Sequence, residues 1–94
     1  MKIVEIIPFL YPIGGAERLV LDMMKYASTQ NDDELMLISL YTRNKSEVIQ
    51  IFDNNPSVKI VFLDKKKGID LDCSKRLKKT INDFKPDIIH CHLD

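Results

Sequence analysis

Four short apolar runs, at residues 3–7, 35–40, 58–63 and 87–91, are separated by connections too long for hairpin turns and patterned as helices. The runs are rich in Ile, Val and Leu and lack clean alternation, as strands covered on both faces do. Strands that alternate with helical segments pair in parallel, because only a long crossover returns the chain to the same end of the sheet. The chain therefore reads as α/β, in the order strand, helix, strand, helix, strand, helix, strand.

The first connection, residues 15–30, sets Leu19, Val20, Met23, Met24 and Ala27 on one helical stripe. The second, residues 46–54, follows Asn44 and Glu47, which are spaced as a capping box, and stops at Asn54-Asn55-Pro56. In the third, residues 71–84, Cys73, Leu77, Ile81 and Phe84 share a face, and Lys75, Arg76, Lys78 and Lys79 turn away. Asp70 or Asp72 caps its start, and Pro86 follows its end. Right-handed crossovers with strand order 3-2-1-4 put the first two helices on one face and the third on the other. The expected fold is a partial Rossmann-like three-layer domain of four parallel strands and three helices. Its second face is half bare, so self-association or unusual apolar exposure is expected.

The 94 residues suffice for one small domain. Basic and acidic side chains balance at 14 each, so no net field recruits nucleic acid or an anionic membrane, and any anion site must be local. The composition, 45% hydrophobic and 30% charged, is that of an ordinary globular chain. Cys73 and Cys91 form no disulfide framework and read as reduced thiols in a cytoplasmic protein, Cys73 as a small core residue. The opening segment has a charge and a proline within its apolar stretch and no small-residue cleavage site, so it does not read as a signal peptide. No apolar run approaches the ~20 residues that span a bilayer, which leaves peripheral membrane contact open.

In an open α/β sheet, ligands gather beyond the carboxyl ends of the strands where the strand order reverses, here between the first and fourth strands. Two segments fall there: the loop at residues 8–18 and the strand end at residues 90–94. Gly14 and Gly15 permit either close approach of a phosphate to helix-start amides or simply a tight turn. Glu17 and Arg18 fit a first helical turn, where a guanidinium holds an anion and a solvated helix start explains both equally well. No GxGxxG or GxxxxGK[ST] pattern is present, which disfavours ordinary dinucleotide binding and a P-loop.

His90 and His92, two apart on a strand, point to the same face, while Ile89 and Cys91 point to the other. They line a ligand pocket, or His90 packs as a hydrogen-bonded residue with His92 alone at the rim, or the pair forms part of a metal site with Asp94. No metal is expected on balance, because no neighbouring third ligand is evident. Acid–base work by His92 is chemically open. Met23 and Met24 read as core, and residues 65–67, three lysines, read as a solvated turn or a contact for phosphate or a lipid headgroup.

Residues 3–8, then Gly14-Gly15-Ala16-Glu17-Arg18 and the helix ending near Tyr26, resemble the opening of retaining GT-B glycosyltransferases of family four. Residues 34–40 are similar to the second strand of that family, and Lys85-Pro86-Asp87-Ile88-Ile89-His90-Cys91-His92 to its fourth. The resemblance covers the whole chain. It implies metal-free transfer of a sugar, with retention, from a nucleotide-sugar donor to a glycan or lipid-linked acceptor, as in polysaccharide biosynthesis. It implies no cofactor besides the nucleotide-sugar donor. Residues 1–94 would be the N-terminal part of the acceptor-side domain, with Gly14 and Gly15 near the donor diphosphate and His92 lining the cleft. The rest of that domain and the C-terminal donor domain would lie beyond Asp94, so the chain alone is expected to be inactive. A non-catalytic α/β ligand-binding module and a metal-dependent hydrolase using His90, His92 and Asp94 are the competing readings.

Overall fold

The structure is a computed structural model and describes residues 1–9, 22, 33–42, 46, 49–50 and 57–92. Four strands, β1 (Lys2–Ile7), β2 (Glu34–Ser39), β3 (Val58–Phe62) and β4 (Ile88–Cys91), form one sheet in the order β3-β2-β1-β4. All three pairings are parallel. The parallel sheet and its strand order are those expected from the sequence, with strand ends shifted by a residue.

One helix, α1 (Leu71–Phe84), is described from end to end and matches the third expected helix. The first two expected helices lie largely outside the described residues; within them, Asp22, Ser46, Ile49 and Gln50 are helical. Asp70 is the N-cap of α1: its carboxylate accepts the Cys73 N–H at 2.9 Å, while Asp72 sits in the first turn and pairs with Arg76 at 3.0 Å. The helix closes at Lys85 in a left-handed conformation, with its N–H donating to the Ile81 carbonyl.

Pleat alternation sends Val4 and Ile6 to the α1 side, opposite Met36 and Ile38 in register. These four, with Leu63, Cys73 and Phe84, are the buried core on the α1 side, and Leu77 and Ile81 pack against it; Ile7, Leu35 and Leu37 are buried on the opposite face. The apolar stripe read from the helix periodicity is thus the stripe that packs. Phe84 anchors the end of the helix beneath the start of β1. The Lys2 Nζ donates to the Phe84 carbonyl at 3.1 Å and lies 5.2 Å from its ring centroid, and Lys59 Nζ approaches the ring to 5.7 Å. On the same side of the sheet, at the β4 edge, Ile89 remains 44% exposed and Cys91 is exposed.

Two outcomes follow from this packing. Phe84→Ala should cost about 3–5 kcal/mol in urea unfolding, a large share of the stability of a domain this size, while Phe84→Leu should cost clearly less. The Asp70 carboxyl is held below its ordinary value, first by the Lys66 backbone N–H and then by that of Cys73. A depressed folded-state pKa stabilises above the unfolded-state value, and that contribution is lost as pH falls through the folded one. Asp70→Asn should therefore melt below the native chain at neutral pH, with the gap closing on acidification. An equal gap at all pH values would contradict this.

Candidate functional site

The face of β1 opposite α1 carries Ile3, Glu5 and Ile7. Glu5 is an ionisable side chain in the middle of the sheet, only 5% exposed. A carboxylate there must have its oxygens satisfied, since an unpaired buried charge is strongly unfavourable. Both partners come from the far end of the chain. His90 stands opposite Glu5 in the β1–β4 register, and its Nδ1 lies 2.9 Å from Oε1 of Glu5. Two residues on, His92 projects to the same face and sets Nε2 2.6 Å from Oε2.

Main-chain bonds fix this geometry at both ends of β4. The Asp87 N–H donates to the Lys2 carbonyl at 2.7 Å, and the Lys2 N–H donates to the Asp87 side chain at 2.7 Å. At the other end the His92 N–H donates to the Ile6 carbonyl at 2.8 Å, extending the ladder one residue beyond Cys91. An ionised carboxylate only accepts hydrogen bonds, so each ring donates: His90 through Nδ1–H and His92 through Nε2–H. In its neutral form each imidazole keeps its other nitrogen as an acceptor. The rings meet edge to face with centroids 6.3 Å apart, His90 half exposed and His92 partly buried.

His92 stands at the rim formed by the carboxyl ends of the parallel strands. Pro8 and Phe9 leave β1 at that rim, and the β1–β2 ladder continues through the Leu40 N–H to the Ile7 carbonyl and the Tyr41 N–H to the Pro8 carbonyl. Ser39 is fully buried there and donates its hydroxyl to the Tyr41 carbonyl at 2.6 Å. The rings of Phe9 and Tyr41 stack 4.7 Å apart. The rim is therefore a built surface with aromatic and imidazole groups.

The structure brings His90 and His92 together on one face, and their common partner is Glu5. Gly14, Gly15, Glu17 and Arg18, the proposed phosphate-binding loop, lie outside the described residues, as does Asp94. Among the described residues no group of three or more His, Cys, Asp or Glu side chains is arranged to hold a metal ion. Cys73 is a buried free thiol, as its place on the helix stripe implies. Glu5, Ser39 and Tyr41 are passed over in the sequence. A single charge inside an otherwise apolar strand was the available signal for Glu5, because such a residue needs a buried partner wherever the sheet provides one.

These features define an α/β chain with a parallel sheet and a polar cluster at its topological switch point. No family model matches the chain, and neither the curated proteins nor the solved structures contain a significant match to it.

The carboxylate bridge makes a direct expectation for ring tautomers. Gln at position 5 has one accepting oxygen and one donating amide, so it can serve only one ring as Glu5 does. Glu5→Gln should switch at least one of the two histidines to the opposite tautomer, seen in their ring nitrogen NMR shifts, and should cost about 1–3 kcal/mol. Unchanged tautomers in a folded variant would refute the bridging role.

Proposed function

We propose that this chain forms the N-terminal, acceptor-side part of a GT-B retaining glycosyltransferase, acting on a nucleotide-sugar donor and a glycan or lipid-linked acceptor. The observation that carries the reading is the parallel pairing of β1 with β4, which sets the carboxyl end of the first strand beside a histidine-tipped strand at one rim. Residues 3–8 and 85–92, two parts of the family resemblance, lie in and around these paired strands. Sugar transfer asks such a domain to hold and orient polyhydroxylated groups, and fixed imidazole nitrogens suit hydroxyl donors.

In this reading His92 presents its Nδ1 to a sugar hydroxyl while Glu5 holds Nε2–H, and His90 lines the same wall. Gly14, Gly15, Glu17 and Arg18 supply the anion-binding side, through main-chain amides and a guanidinium facing the donor diphosphate. The remaining electrostatic stabilisation of the departing nucleotide comes from a second domain. The protein works at the cytoplasmic side of a membrane and touches it peripherally. Among the described residues no helix is long and apolar enough to cross a membrane.

A titration of the chain with nucleotide sugars, oligosaccharides and polyprenyl-linked sugars tests this, read out at the ring resonances of His90 and His92. At least one ligand should shift both rings, and His92→Ala should weaken its binding roughly tenfold, the worth of one hydrogen bond. If no donor and no acceptor perturbs either ring, the assignment to sugar transfer fails.

A further inference from the structure

We draw no further inference here: the strongest candidate, the open edge of β4 with Ile89 and Cys91 exposed on the α1 side of the sheet, is an unpartnered strand edge, and nothing in the structure shows what covers it.

Discussion

The register between β1 and β4 is the constraint on which the rest of the arrangement depends. Side chains alternate along a strand, so a slip of one residue would carry His90 and His92 to the α1 side and set Ile89 or Cys91 beside the Glu5 carboxylate. The charge would then be buried without partners. The Asp87–Lys2 pair of bonds at one end and the His92–Ile6 bond at the other exclude that slip. Local backbone bonds at the two ends of a short strand thereby determine which side groups meet in the middle.

The two faces of the sheet are both apolar layers and differ in the polar cluster that one of them carries. The α1 side gathers aliphatic and aromatic groups from β1, β2 and the helix into a core, with two lysine cations near the Phe84 ring at the helix end. The opposite face of β1 places a charged group in the same layer as Ile3 and Ile7. That asymmetry is tolerable because the carboxylate takes a ring N–H on each oxygen, and charge-assisted bonds of this kind are stronger than neutral ones. Apolar groups are buried on both sides, Ile7, Leu35 and Leu37 on the Glu5 face among them, and hydrogen bonding accommodates the carboxylate within that second layer.

Much of this architecture was legible in the chain. Four apolar runs and the lengths between them were enough for a parallel sheet, and the handedness of crossovers for the order 3-2-1-4. The stripe of Cys73, Leu77, Ile81 and Phe84 located α1 because helical period, cap and following proline agree. Period two placed His90 and His92 on one face. Their partner was not legible, since Glu5 lies 85 residues from His90 and only the completed topology brings them together. The choice of Asp70 over Asp72 as cap was likewise open, because it turns on a single backbone angle at the helix start.

Folding alone gives little reason for a glutamate at position 5. Replacing buried ionic groups with aliphatic ones of similar volume is often neutral or stabilising, so a buried charge is weak evidence of a structural role. An aliphatic side chain between Ile3 and Ile7 would extend an apolar row, and both histidines could then turn their polar atoms toward solvent at the sheet edge. What would be lost is orientation: the His92 ring would no longer have one nitrogen committed to a fixed donor bond and the other left as an acceptor. Rotamer and tautomer would both become variable. The cost of burying the carboxylate is therefore better accounted for by the fixed orientation of the two imidazoles than by the stability of the sheet that carries them.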